Sequence, residues 1–271
     1  NNANRWLNLG PISFQPSEMA KAGLIMTVAV VLAKTQAERV VMKNGKEVIE
    51  RGAIKGKRNL AFKIIAIMVI VVCGLIAPEN FSTAAMLGAV IVVMMFIGRI
   101  PTDLMIKSIL ALIAVGAIFV TFLLSMSNET LNNIPMGHRM STWKTRIVDK
   151  STEADSKDST AYLFENAQVA HANMAVANSN IIGRGPGNSV ERDFLSHAES
   201  DFIFSIVVEE LGIGGAIFVV FLYITLLVRV GRIAQKCQRF FPAFLVIGIG
   251  MMITLQAIVN MGVAVDLFPV T

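Results

Sequence analysis

The sequence predicts an all-α polytopic membrane protein: six transmembrane helices, with a large outer loop that carries a short amphipathic helix. Three observations predict it. Of 271 residues, 54% are hydrophobic and only 16% charged, with a mean hydropathy of +0.63, whereas a soluble globular domain carries about 25% charged residues. Six candidate spans stand in the chain, each near the ~20 residues that a bilayer core requires. The runs do not alternate and are about twice the length of barrel strands, so helices are the natural spanning element.

Residues 1–16 read as a loop containing Arg5 and Trp6. Pro16-Ser17-Glu18 then opens a helix that continues to about Ala33; proline suits a first turn, and an acid there suits the dipole. The purely apolar part of this helix is short, which puts Glu18 and Lys21 near one membrane surface. A polar stretch from Lys34 to Lys63 follows, with nine Lys or Arg and three Glu. Next come an apolar run from Leu60 to Ala77, a break at Pro78–Ser82, and a run from Thr83 to Ile97. The turn Gly98–Asp103 leads to a clean run from Ser108 to Met126. After the polar residues 127–200, Phe202 to Val228 is apolar except for Glu209 and Glu210. A basic turn (Arg229, Arg232, Lys236, Arg239) precedes the last run, Phe240 to about Val259.

Charge sets the orientation. The segments 34–63, 98–107 and 229–239 hold fifteen basic residues and share one side if the six spans alternate. The opposite side has Arg5, Lys21, the turn at 78–82 and the long loop, in which acids outnumber bases. The positive-inside rule puts the first set in the cytoplasm, and residues 127–200, Asp201 and both ends of the chain outside. The net charge of +5 and pI of about 9.4 therefore need no nucleic-acid partner. Cys73 lies in an apolar run and Cys237 in a basic segment, which implies neither a disulfide nor a metal cluster. The chain opens without Met and stops at Phe-Pro-Val-Thr. It reads as one membrane-embedded domain, 1–271, truncated at both ends, with no signal peptide in view.

Loops longer than about fifteen residues are usually functional or disordered. Residues 149–160 look solvated, whereas Tyr162 to Ile182 sets Leu163, Phe164, Ala167, Ala170, Met174, Ala177 and Ile181 close to helical spacing, as for a helix lying on the outer face.

Asp201 heads the fifth span, where water meets lipid. It is suited to cap a helix, and the dipole and backbone donors there favour its ionised form, so it is equally suited to accept a proton or bind a cation. A paired-carboxylate glycosidase needs its acids roughly 5–9 Å apart; Glu209, eight residues on, stands about 12 Å up a helix axis. Single-base chemistry fits better. Glu209 and Glu210 at membrane depth call for a cavity or a cationic partner, a structural ion pair being the plainer alternative. Glu18 and Lys21, one turn apart, are placed to pair with each other. Gly183, Gly185 and Gly187, followed by Asn188 and Ser189, permit either a plain turn or a backbone curl able to hold phosphate oxygens. Arg139, Trp143 and Arg146 suit a diphosphate and a sugar face, or lipid headgroups. Gln256 and Asn260 are suited to bonds between helices. No P-loop, HExxH motif or usefully spaced cysteine–histidine pair occurs in the sequence.

Several of these stretches resemble the SEDS family, the FtsW/RodA membrane proteins of bacterial cell-wall synthesis. Asn4-Arg5-Trp6-Leu-Asn-Leu-Gly resembles the family's GAxRWIxLG, and Gln15-Pro16-Ser17-Glu18-Met-Ala-Lys21 its QPSExxK. Arg139-Met-Ser-Thr-Trp143 is similar to RxxxW, and Gln168 keeps the family's spacing to GxGxGNS, here Gly183 to Ser189. Asp201 to Gly212 resembles DFIFAxxxEExG, while Gln256-xxx-Asn260 with Pro269-Val-Thr271 resembles QxxxN…PVTG. The likeness spans nearly the whole chain, and the GxGxGNS form is similar to the division-type branch. Two segments depart: LPExxTD reads Leu195-Ser-His197-Ala-Glu199-Ser-Asp201, and QPDLGT reads Ala77-Pro78-Glu79-Asn80-Phe81-Ser82-Thr83.

The resemblance implies a glycosyltransferase that polymerises lipid II outside the bacterial cytoplasmic membrane during division. Asp201 matches the family's essential aspartate, as base or as ligand of a divalent cation (Mg or Mn). Arg5, Lys21, Arg139 and Arg146 would offset diphosphate charge. Trp6, Glu18, Trp143, Gln168, Gly185, Gly187, Asn188, Ser189 and Glu210 complete the expected substrate site. The implied partners are membrane lipid, division proteins and a class B penicillin-binding protein. A lipid II flippase and a non-catalytic scaffold for a transpeptidase are the alternatives.

Overall fold

The computed structural model describes residues 7–9, 12–43, 46–53, 55–78, 80–125, 167–194, 202–265 and 267. Helices stand at all six apolar runs: α1 Pro16–Thr35, α2 Lys55–Ile76, α3 Phe81–Ile97, α4 Thr102–Ser125, and, after α5 Ala167–Ala177, α6 Ile203–Lys236 and α7 Phe240–Ala264. By length and composition α1, α2, α6 and α7 can each cross a membrane, and α3 is apolar but 17 residues long. The chain is a multi-pass membrane protein. Compactness divides it into two units, Asn1–Ile100 with Asn166–Thr271, and Pro101–Glu165, which contains α4.

Local chemistry sets the helix ends. Pro16 opens α1 with Glu18 in its first turn. Asn80 caps α3, its Oδ1 accepting from Thr83 N–H at 3.0 Å. At the other end of α3, Gln36 Nε2 donates to Gly98 O at 2.9 Å, tying it to the end of α1.

In the first unit α1 packs on α2, α3 and α7, and α7 also contacts α3 and α6. Ile25, Val28 and Leu32 of α1 are buried, as are Leu87, Ile91 and Met94 of α3 and Phe244 and Met252 of α7. Close approach is set by a small residue, as is usual between membrane helices. A Cβ at Gly248 of α7 would stand 2.5 Å from Ile25 Cγ2 and 2.8 Å from Met94 Sδ. Gly248→Leu is therefore expected to wedge α7 from α1 and α3, at about 1–3 kcal/mol. Thermal melting in detergent checks this, and a melt unchanged from the parent would contradict the packing.

Two hairpins accompany the helices. Leu7–Leu9 (β1) pairs antiparallel with Ile12–Phe14 (β2), Leu7 opposite Phe14. Gln36–Lys43 (β3) pairs with Lys46–Ala53 (β4), Gln36 opposite Ala53. The segment expected only as a polar stretch is thus a hairpin, and α2 starts at Lys55, ahead of the apolar run. The signal was Asn44-Gly45 between Val40-Val41 and Val48-Ile49, since Asn-Gly is a strong two-residue hairpin signature. Within the expected amphipathic stretch 162–182, α5 occupies Ala167–Ala177, with Ala170, Ala172 and Ala175 buried. The solvated stretch 149–160 lies outside the described residues.

The sixth helix, α6, is not continuous. At Gly212 the backbone leaves helical geometry (φ 69°, ψ −169°), dividing α6 into Ile203–Leu211 and Ile213–Lys236. The second piece, roughly 36 Å at 1.5 Å per residue, is long enough to span alone.

Candidate functional site

The break in α6 is where the glycine-rich segment enters. A helix break leaves the preceding carbonyls without helical donors, and two of them accept from the segment: Arg184 N–H donates to Glu209 O at 3.0 Å and Gly185 N–H to Glu210 O at 2.9 Å. The fit is backbone against backbone. A Cβ at Gly183 (φ 76°) would overlap the Glu210 carbonyl and Gly212 N, and one at Gly212 would overlap the carbonyls of Asn180 and Ile181. Both conformations and both spaces admit only glycine.

Below this junction lies Glu209, wholly buried. Ser189 Oγ–H donates to its Oε2 at 2.6 Å, Val190 N–H to its Oε1 at 3.2 Å, and Arg184 Nη1 stands 3.3 Å from Oε1. An acid at such a depth is costly unless paired and hydrogen-bonded, and here every one of these partners comes from a single segment. The segment is also stitched internally: Asn188 Nδ2 donates to Arg184 O at 3.2 Å, Asn188 N–H to Gly185 O at 3.2 Å, and Arg192 N–H to Ser189 Oγ at 3.2 Å.

The short piece Ile203–Leu211 is held elsewhere as well. Phe202, at its head, is buried in a cluster with Ala172 of α5 and Ile206. Ser205 Oγ–H donates to Ala264 O, in the last turn of α7, at 2.8 Å. Beside α5, His171 Nδ1 lies 2.6 Å from Glu191 Oε2, and its ring stacks on Phe194 with centroids 5.1 Å apart.

Among the expected site residues, Gly185, Ser189 and Glu210 meet at this junction, Gly187 and Asn188 lie in the segment between them, and Gln168 lies in α5. Glu18 and Lys21 form their pair at 2.7 Å, with the lysine buried and the glutamate exposed. The amides of Arg184, Gly185, Asn188 and Val190 already have protein acceptors, so the curl is a socket for α6 in the first place. Arg5, Trp6, Arg139, Trp143, Arg146 and Asp201 lie outside the described residues. No three His, Cys, Asp or Glu side chains gather as a metal set among the described residues. The ion-pair reading of Glu209 holds, and sequence reasoning missed its partner Arg184. A lone arginine inside a glycine run carries no signal that it meets an acid in a distant helix.

The fold and site define a polytopic helical membrane protein in which a glycine-rich segment is seated in a broken helix. Solved structures share the fold: a peptidoglycan synthase complex described as coordinating polymerization and crosslinking (TM-score 0.67, 22% identity, 100% of this chain and 65% of that one), and a mutant of the Thermus thermophilus rod shape determining protein RodA (TM-score 0.53, 20% identity, 98% and 59%). The profile of the FtsW/RodA/SpoVE family, described as cell cycle protein, matches residues 1–271, and the chain belongs to that family. It is 28% identical over 272 residues to a probable peptidoglycan glycosyltransferase FtsW of Bacillus subtilis (100% of this chain, 60% of the relative). A relative of the same description from Saccharophagus degradans is 30% identical over 275 residues (99% and 61%). The chain spans about 60% of the length of these curated relatives.

Proposed function

We propose that this chain carries the reaction centre of a peptidoglycan glycosyltransferase that polymerises lipid II on the outer face of the bacterial cytoplasmic membrane during division. What carries the reading is the family match along residues 1–271, with relatives described as probable peptidoglycan glycosyltransferases. The outward orientation is supported by the fifteen basic residues at 34–63, 98–107 and 229–239.

In this reading the 4-hydroxyl of the acceptor GlcNAc attacks the anomeric carbon of the donor. The new glycosidic C–O bond forms as the bond to undecaprenyl diphosphate breaks, and the hydroxyl proton passes to Asp201 as general base. Arg5, Lys21, Arg139 and Arg146 offset the charge that develops on the departing diphosphate. Trp6 and Trp143 supply faces for sugar rings, and Glu18, Gln168, Gly185, Gly187, Asn188, Ser189 and Glu210 line the site. A class B penicillin-binding protein, a transpeptidase, docks on the same face and crosslinks the strands, alongside division proteins. A divalent cation, Mg or Mn, at Asp201 is the second reading of that residue, and it would supply charge neutralisation at the diphosphate.

The test is polymerisation of purified lipid II by the intact protein, with and without chelator. Loss of polymer on chelation, restored by either metal, supports the ion-binding reading of Asp201; unchanged polymer leaves it the base. No polymer under any condition, with labelled lipid II crossing liposomes instead, would replace the enzyme by a flippase. Intramembrane acids such as Glu209 are also a mark of transporters, but its carboxylate is engaged by Ser189, Val190 and Arg184.

A further inference from the structure

The geometry points to Glu209 as a positioning residue: its carboxylate locks the Gly183–Val190 segment into the break of α6 and so fixes the short piece Ile203–Leu211 that follows Asp201 in the chain. The reaction it serves rests on the glycosyltransferase reading; the lock rests on geometry alone.

Consider what joins the two pieces of α6. Along the chain it is Gly212, a residue with no side chain and non-helical dihedrals, the kind of position at which a hinge turns. Left to itself, such a joint lets the short piece swing, and with it whatever group stands at its head. Glu209, three residues before the joint, receives a hydroxyl, an amide and a guanidinium from the one segment that crosses it. The main-chain bonds Arg184 N–H to Glu209 O and Gly185 N–H to Glu210 O bind the same segment to the same two residues. The far end of the piece is anchored independently, by Phe202 in its cluster and Ser205 on Ala264 O. Removing the Glu209 carboxylate therefore loosens the Gly212 end of the piece, leaving only the two main-chain bonds there, while the other end stays seated. That predicts tilt rather than unfolding, and tilt of a base by about 1 Å costs on the order of 100-fold in rate.

A stabilising ion pair with no bearing on the reaction would behave differently, and conservative variants separate the two. Glu209→Gln keeps the length, with an oxygen for Val190 N–H and an amide able to donate to Ser189 Oγ; Arg184, partly exposed, can turn to water. Glu209→Ala leaves Ser189, Val190 and Arg184 without their acceptor. The experiment takes the intact protein in nanodiscs and reads hydrogen–deuterium exchange and steady-state lipid II polymerisation together. For Glu209→Ala the expected result is faster exchange confined to residues 180–190, with kcat lowered about 100-fold and KM unchanged. Glu209→Gln should recover most of both. If Glu209→Ala does not fold, Ser189→Ala, which removes the 2.6 Å bond to Glu209 and the 3.2 Å bond from Arg192 N–H, decides by the same exchange readout. Unchanged exchange in that segment, a KM effect without a kcat effect, or failure of glutamine to rescue would each overturn the assignment. Polymer formation by Asp201→Ala would instead sink the catalytic reading and leave the exchange result to judge the lock.

Discussion

In the intact protein, Asp201→Ala is expected to lower polymerisation of purified lipid II by about 10²–10⁴-fold, the usual contribution of a positioned general base. The magnitudes separate this from a folding defect. The N-cap of α6 is Phe202, with no side-chain cap bond, rather than the Asp201 that precedes it in the chain, and even the loss of a capping side chain costs only about 1 kcal/mol. Against a native stability of roughly 5–15 kcal/mol, that leaves the protein folded in the membrane. Melting temperature and co-purification with the transpeptidase should therefore hold while activity falls. Asp201→Asn sharpens the comparison, since the amide keeps the shape but cannot take a proton at neutral pH. Robust glycan strands from either variant would remove this aspartate from the mechanism, and growth of a null strain rescued by the alanine allele would favour a non-catalytic scaffold.

The second large effect is structural. Gly212→Ala places a side chain at φ 69°, ψ −169°, a region essentially reserved for glycine and costing about 1–3 kcal/mol for other residues. The added carbon also meets the carbonyls of Asn180 and Ile181 and Gly183 N, main-chain atoms that cannot rotate aside. Expelling the segment 180–190 strips the acceptors Glu209 O and Glu210 O of their donors and leaves the Glu209 carboxylate buried and unpaired. The sum is expected to reach about 4 kcal/mol or more, a melting-temperature drop on the order of 10 °C. Gly214→Ala is the control, because its added carbon finds only Ile181 O at 3.9 Å. Equal melting of the two variants would mean that the segment is not seated in the break.

The six helices were legible because burial in lipid demands apolar runs, and such runs stand in the chain from Leu60–Ala77 to Phe240–Val259, while Pro16-Ser17-Glu18 marks the start of the first, whose apolar part is short. The same logic hid the break. Gly212 sits inside an apolar run with Gly214 and Gly215, and hydropathy does not register a change of dihedral angle. Length carried a hint, since Ile203–Lys236 is 34 residues where a bilayer needs ~20. The β3–β4 hairpin was masked by its charges: Glu38, Arg39, Lys43, Lys46, Glu47, Glu50 and Arg51 outnumber Val40, Val41, Val48 and Ile49. The cost of a buried acid foretold that Glu209 needs a cation, but nothing local names Arg184, twenty-five positions earlier. Glu18 and Lys21, by contrast, were readable because helical pitch alone brings them together.

The mutual seating of Gly183 and Gly212 makes the two positions a single genetic locus. Whichever of them first acquires a side chain evicts the crossing strand, and a second substitution then finds nothing left to push out. Gly183→Ala combined with Gly212→Ala should thus melt about where the worse single variant does; additive losses, the rule for independent sites, would mean that the two glycines never touch.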